Sequence, residues 1–330
     1  MPAACSWIEQ DNQAPELTAA RRQSKLAKEP ANVWAGGSTL MKVSIPFRLL
    51  GIALGIAVLC ATSPRTGAAE PIEIFDAHLH YNWEPKPYLP LADVLALFKK
   101  HRVTGILATS RPNTGTHALV GAQTEGKADG LWVVPFIRPY RIRADIGSWF
   151  NDPSIHDLVR EEYKRGGYRG VGEFHLTGRA AATDWVRKTV DFAAAHDLYL
   201  HAHADAEAVE ILFAHNPKSR IIWAHTGFSL EPARVAALLD KYSALWGELS
   251  YRGGITEGGR LSSAWRAMFE RYPDRFLIGS DTWVNERWAS YGDIIAGYRR
   301  WLAELPPEIA AKIAHGNAKR LFAGPPPTVR

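Results

Sequence analysis

Ile74-Phe75-Asp76-Ala77-His78-Leu79-His80 closes the first apolar segment after residue 70 and ends it in two histidines spaced two apart. Side chains alternate along a strand, so His78 and His80 point to one side, where two imidazoles can converge on one cation. An isolated His-x-His is more often a polar strand end. Here seven further short apolar segments follow the first, Ile72 to His78: Val103 to Thr109, Leu131 to Ile137, Gly170 to His175, Leu198 to His203, Arg220 to His225, Ala244 to Ser250 and Phe276 to Asp281. Several of them also end in ligand-type residues, namely Glu173 and His175, His201 and His203, His225, and Asp281. Between them lie segments with apolar residues at three- and four-residue spacing, among them Leu91 to His101, Trp185 to His196, Ala206 to Asn216, Pro232 to Tyr242 and Ser262 to Tyr272. Tyr291 to Leu302 and a closing helix over Pro307 to Phe322 complete the pattern. Eight strand-helix repeats in about 250 residues predict an α/β fold of a single (β/α)8 TIM barrel, with its active site at the C-terminal strand ends. The first strand is not followed by Gly-x-Gly-x-x-Gly, so a dinucleotide-binding sheet lacks its fingerprint.

The chain has 330 residues, 46% hydrophobic and 22% charged, which excludes a mainly disordered or collagen-like protein. Met41-Lys42, Arg48, the apolar run Leu49 to Ala61 and the small residues Thr66-Gly67-Ala68-Ala69 predict a signal peptide over 41–69. The run is shorter than the roughly 20 residues a membrane span needs, so no stable membrane anchor is expected. Residues 1–40 precede the natural start at Met41 and are expected to be a misassigned upstream extension, leaving 70–330 as the barrel domain. The mature protein is then periplasmic or secreted. Cleavage after Ala69 removes seven of 39 Lys and Arg and four of 34 Asp and Glu, so the charge falls from +5 to +2. That balance lends no support to a nucleic-acid partner; a small-molecule substrate is expected, and a homo-oligomer is compatible with the sequence. Cys5 and Cys60 both lie in the removed part, so any metal must be held by histidine and carboxylate.

In order and spacing, His-x-His on the first strand, histidines on the fifth and sixth and aspartate on the eighth resemble the amidohydrolase superfamily. His225-Thr226-Gly227, Gly279-Ser280-Asp281 and the closing His315-Gly316-Asn317-Ala318-Lys319-Arg320-Leu321-Phe322 look most like its amidohydrolase-related (amidohydrolase 2) branch. The resemblance spans most of residues 72–322. It implies metal ligation by His78, His80, Glu173, His203 and Asp281, catalytic roles for Asp281 and His225, and one or two divalent ions. Zinc is the first choice for such donors, with manganese and iron as alternatives. On the fifth strand His203-Ala204-Asp205 matches the family phrase better than His201, which is expected one layer deeper. His175 either ends its strand beside Glu173 or begins the loop. In this family Asp281 moves a proton, and His225 ligates the metal or stabilises an oxyanion.

Among arginines near strand ends (Arg111, Arg138, Arg141, Arg143 and Arg252), Arg138 and Arg252 are the expected substrate-binding pair. Trp83, Trp149, Trp246 and Trp283 either wall an apolar ligand or pack against helices. His101, His117, His196, His215 and His315 fall in helices or loops and are expected to cap or pack. The function implied is metal-dependent hydrolysis of a small ester, lactone, amide or related bond. The alternative is a metal-dependent non-oxidative decarboxylase of an aromatic acid, with a metal-dependent DNase and a non-catalytic metal carrier behind it.

Overall fold

The computed structural model describes residues 70–83 and 86–328. The expected extension (1–40) and signal peptide (41–69) lie outside the described residues. Eight parallel strands pair in sequence order: β1 (Ile74–Leu79), β2 (Val103–Ala108), β3 (Trp132–Ile137), β4 (Gly170–Leu176), β5 (Tyr199–Ala204), β6 (Ile221–Trp223), β7 (Leu245–Glu248) and β8 (Phe276–Leu277). The chain after β8 returns to β1 through Ala77 N–H to the Ile278 carbonyl (2.8 Å) and Asp281 N–H to the His78 carbonyl (2.7 Å), making a nearly closed TIM barrel.

Helices α1 (Leu91–Lys100), α2 (Thr114–Thr124), α3 (Pro153–Tyr163), α4 (Asp184–Ala195), α5 (Ala206–His215), α6 (Pro232–Lys241), α7 (Ser263–Arg271), α8 (Asn285–Ala289) and α9 (Tyr291–Leu302) fill the connections. Local chemistry explains their starts. Asp152 accepts from Ser154 N–H with Pro153 in the first turn of α3, Asp205 accepts from Ala208 N–H at α5, and the Ser262 hydroxyl accepts from Trp265 N–H at α7. Helices α2 and α3 are not among the segments flagged from sequence. In α2 the buried face is Gly115, Thr116, Leu119 and Ala122, which is no apolar stripe. Gly115 is required there, since a Cβ would stand 1.9 Å from the Tyr81 carbonyl oxygen. The closing segment is α10 (Pro307–Ala311) and α11 (Asn317–Leu321), joined by a π turn over Lys312–Gly316. Its Asn317 donates to the carbonyls of Pro273 and Phe276, at 2.9 Å each.

The barrel interior has an apolar layer of Phe75, Ala77, Leu107, Val134, Phe136, Tyr199, Ile222 and Leu277, closed below by Ala318 and Phe322. The Phe322 ring stands 5.5–5.9 Å from Phe75, Phe136 and Tyr199. Above this layer the interior turns polar, and two strands change face to make the turn. In β1 the register advances three residues against two between Asp76 and Leu79, the signature of a bulge. Phe75 and Ala77 face inward below it and His78 and His80 above it, while Ile74 and Leu79 join the outer core. In β4 the same shift falls between Gly172 and Phe174, leaving Phe174 and Leu176 in the outer core and swinging Glu173 inward. Strand β5 needs no shift and pairs in register through His201, so Tyr199, His201 and His203 share one face.

Candidate metal centre

His78 and His80 are fully buried, and each gives its Nδ1 proton to a protein oxygen: His78 to Glu248 Oε2 at 2.8 Å, His80 to the Thr109 carbonyl. That tautomer leaves both Nε2 lone pairs facing the cavity, 3.1 Å apart. Asp281 Oδ1 lies 3.5 Å from His78 Nε2 and 3.1 Å from His80 Nε2. Glu173 contributes Oε1 at 3.5 Å from His78 and Oε2 at 3.3 Å from His80. Donors placed about 2.1 Å from a shared tetrahedral centre stand about 3.4 Å apart, which matches this spacing. Two imidazole lone pairs and two carboxylates cannot converge in a buried space without positive charge among them. His78, His80, Glu173 and Asp281 therefore fit a divalent cation.

The electrostatics agree. Burial opposes charge on His78, but Asp281, Glu173 and Glu248 outweigh it and raise its pKa well above the usual imidazole value. Burial likewise disfavours ionised Asp281 and Glu173, yet His78 beside both, with His80 at Asp281 and His175 and Arg138 at Glu173, holds each well below the carboxylate range. Both are carboxylate anions at neutral pH.

His203 and His225 stand beside this set. His203 Nδ1 is 3.0 Å from Glu173 Oε1 and 3.2 Å from His225 Nε2, and His225 Nε2 is 3.4 Å from Glu173 Oε1. Glu173 thus lies between the β1 pair and the β5–β6 pair, as a shared carboxylate would. Burial, with His175 adding to it, lowers His203 to about 3 and keeps it neutral. The His175 ring stacks on His203 at 4.0 Å, and its Nδ1 meets the Tyr140 hydroxyl at 3.0 Å, so His175 belongs to the strand end and lines the site. His201 sits one layer below, fully buried, its ring 4.4 Å from that of His78. Neither of its nitrogens has a hydrogen-bond partner among the described residues. Asp205 is outside the site, capping α5 and accepting from Gly178 N–H.

The two arginines part company. Arg138 is buried beside the cluster, Nη1 3.0 Å from Glu173 Oε2, so it offsets the charge of that carboxylate. Arg252, the other arginine expected to bind substrate, does not join the cluster. Its guanidinium donates to the Leu230 and Gly253 carbonyls and lies 4.7 Å over the Trp265 ring of α7. The physical reason is that its loop turns back onto the helical layer, and burial there lowers the guanidinium to about 10.

Of the four tryptophans, Trp283 is at the mouth, donating to the Tyr251 hydroxyl at 3.1 Å with Arg143 over its ring at 5.1 Å. Trp149 packs on Phe174 and donates to the His175 carbonyl, Trp83 packs on Tyr81, and Trp246 lies near Tyr199 and Arg275 at the opposite end. Phe228 adds an aromatic wall, 4.4 Å from the His225 ring. His117 and His215 pair with Glu162 and Asp191, and His196 packs at a tilt against Tyr163, all outside the cluster.

Glu248 is a site residue that sequence inspection did not flag. It is fully buried at the end of β7, where Trp246 and Glu248 alternate and Ser250 follows in the next turn, so period-2 spacing along an otherwise apolar segment was the available signal.

A single barrel with a histidine-carboxylate cluster at its strand ends defines a metal-site TIM barrel. The profile of the family described as Amidohydrolase matches residues 75–324, and the chain belongs to that family. No curated protein matches it. Among solved structures it is similar to an amidohydrolase from Burkholderia multivorans, crystallised with bound zinc, at 17% identity over 77% of this chain and 100% of that one, with a TM-score of 0.52. It is similar also to a putative 2-pyrone-4,6-dicarboxylic acid hydrolase from Pseudomonas putida, at 16% identity over 76% of this chain and 97% of that one, TM-score 0.52. A TatD-family hydrolase from Entamoeba histolytica matches at 9% identity over 77% and 99%, TM-score 0.50.

Proposed function

We propose that this protein is an exported metal-dependent hydrolase that cleaves a small ester, lactone, amide or related bond. The observation that carries the proposal is the pair of Nε2 lone pairs of His78 and His80, 3.1 Å apart and faced by Glu173 and Asp281. His78, His80, Glu173 and Asp281 would hold a divalent ion, with His203 and His225 able to extend the set around Glu173. Zinc suits imidazole and carboxylate donors. The bound ion supplies Lewis acidity, polarising a carbonyl and acidifying water.

The chain's own residues do the rest. Asp281 is ionised and has Oδ2 on the His225 side, 3.9 Å from Nε2, so it can accept a proton from water and return it to the leaving group. His225 gives its Nδ1 proton to Ser250 and presents Nε2 to the cavity, where the neutral ring can ligate with its lone pair and the doubly protonated ring can donate Nε2–H to the developing oxyanion. Phe228, Tyr251 and Trp283 line the mouth and favour a compact substrate with an apolar part.

Hydrolysis of an ester, lactone and amide panel should require metal, return when zinc is restored after chelation, and vanish in Asp281→Asn with the ion retained. Carbon dioxide release from aromatic acids, without hydrolysis of any panel member, would overturn this in favour of a decarboxylase. Export predicts that the protein isolated from the periplasm or medium begins near Glu70. Among the described residues no helix is long and apolar enough to cross a membrane.

A further inference from the structure

Strand β7 supplies none of the expected ligands, yet it carries the carboxylate with the most hydrogen bonds in the centre. Glu248 Oε2 accepts from His78 Nδ1 (2.8 Å), from the Ser250 hydroxyl (2.8 Å) and from His225 N–H (3.2 Å), and Oε1 accepts from Ser250 N–H (2.6 Å). The Glu248 carbonyl accepts from the Thr226 hydroxyl at 2.8 Å. Ser250 extends the contact, since His225 Nδ1 stands 2.9 Å from its carbonyl and 3.0 Å from its hydroxyl. One residue therefore touches a β1 histidine and the turn that carries the β6 histidine.

That turn needs holding. His225, Thr226 and Phe228 all have left-handed backbone, with φ of 58°, 46° and 56°. Conformations of this kind are strained for residues other than glycine and persist only where surroundings impose them. Gly279 makes room for the arrangement: a Cβ there would fall 2.4 Å from His78 Cβ and 2.5 Å from Glu248 Oε1.

We propose that Glu248 is the positioning residue of the metal centre: through direct bonds to His78 and to the His225 turn, and through Ser250, it fixes the Nδ1–H tautomer of both histidines and aims both Nε2 atoms at one cavity. It acts through those histidines and is not itself a ligand. The inference rests on the metal-site reading above, because a tautomer matters here only if Nε2 must be left unprotonated for an ion. Carboxylates that orient a ligand histidine typically contribute 10- to 100-fold in metal affinity.

Glu248→Gln tests it, because the amide keeps the shape but presents an N–H2 group that can face His78 Nδ1 and favour the opposite tautomer. Zinc affinity, measured by competition with a chromogenic chelator, should fall about 10- to 100-fold. Nitrogen-15 NMR of the zinc-free protein, at a pH high enough to leave His78 neutral, should show the His78 proton leaving Nδ1, a change that loss of packing alone would not produce. Ser250→Ala should lower affinity less and disturb the His225 signal more than that of His78, whose Nδ1 loses the Ser250 hydroxyl at 3.2 Å but keeps Glu248 at 2.8 Å. It also provides a second test if Glu248→Gln does not fold. Wild-type zinc affinity with unchanged His78 and His225 tautomers in the variants would overturn the proposal while leaving the metal site standing. Failure of the wild-type protein to bind zinc would instead remove the metal-site reading beneath it.

Discussion

Two layers of the same barrel interior are equally buried and chemically opposite. The lower one, Phe75, Leu107, Phe136, Tyr199, Ile222, Leu277 and Phe322, contains rings and aliphatic groups in contact. The upper one, His78, His80, Glu173, His225, Glu248 and Asp281, contains imidazoles and carboxylates at similarly low exposure. Burying apolar surface stabilises the fold, whereas burying that many ionisable groups is tolerable only if they neutralise one another or hold an ion. The lower layer thus carries stability and the upper one function, and substitutions in the two should have separable effects.

The largest expected effect is in the upper layer. Asp281→Asn should lower turnover by about 10²- to 10⁴-fold, the range for losing a general acid-base group, with the midpoint of thermal unfolding little changed. Steady-state kinetics beside a melting curve checks both halves, and equal damage to stability would blur the division. In the lower layer, Phe136→Ala should cost about 3–5 kcal/mol by denaturant unfolding while the folded fraction keeps zinc affinity. Phe136 closes tightly on its neighbours: a Cβ on Gly170 would stand 2.1 Å from its ring.

The pH dependence sharpens the contrast. In chelated protein His78 and His225 have pKa values raised above the ordinary imidazole value of about 6.5, burial opposing but Asp281, Glu173 and Glu248 prevailing at His78, and Glu173, Asp281 and Glu248 at His225. Raised bases stabilise fully below the unfolded value and lose that contribution as pH climbs through the folded one. His201 and His203 are lowered by burial, so their contribution is lost in the other direction, as pH falls below about 6.5. Metal-free protein should therefore melt at progressively lower temperature above about pH 7. Zinc stabilisation should grow over the same range, because the ligand histidines no longer have to release protons. A metal-free melting temperature that rises from pH 7 to 9 would contradict the charge balance described for the upper layer.

The smallest effect is expected outside both layers. Arg252→Ala should cost about 1–2 kcal/mol by leaving the Leu230 and Gly253 carbonyls without a donor, while KM stays within a few-fold of wild type. A large rise in KM would return Arg252 to the substrate site.

Much of the barrel was legible because strands buried on both faces are short apolar runs and strand-end ligands stand out against them. The eight expected strands match the observed ones to within a few residues, and His78, His80, Glu173, His203, His225 and Asp281 do meet. What was not legible depends on register and long-range contact. The bulges in β1 and β4 leave no mark in composition, yet the first lets Phe75 and His78 both face inward and the second turns Glu173 inward. Helix α2 hides because its buried face uses Gly115 and Thr116 in place of large apolar residues. Glu248 finds His78 170 residues away, and Arg252 lies near a strand end but turns outward onto Trp265, two facts that proximity along the chain does not report.

Anomalous diffraction from crystals grown with zinc would test the central claim most directly. The account predicts a zinc peak within bonding distance, about 2.0–2.2 Å, of His78 Nε2, His80 Nε2 and an Asp281 oxygen, with Glu173 alongside. A peak located elsewhere, or none between those side chains at saturating zinc, would contradict it.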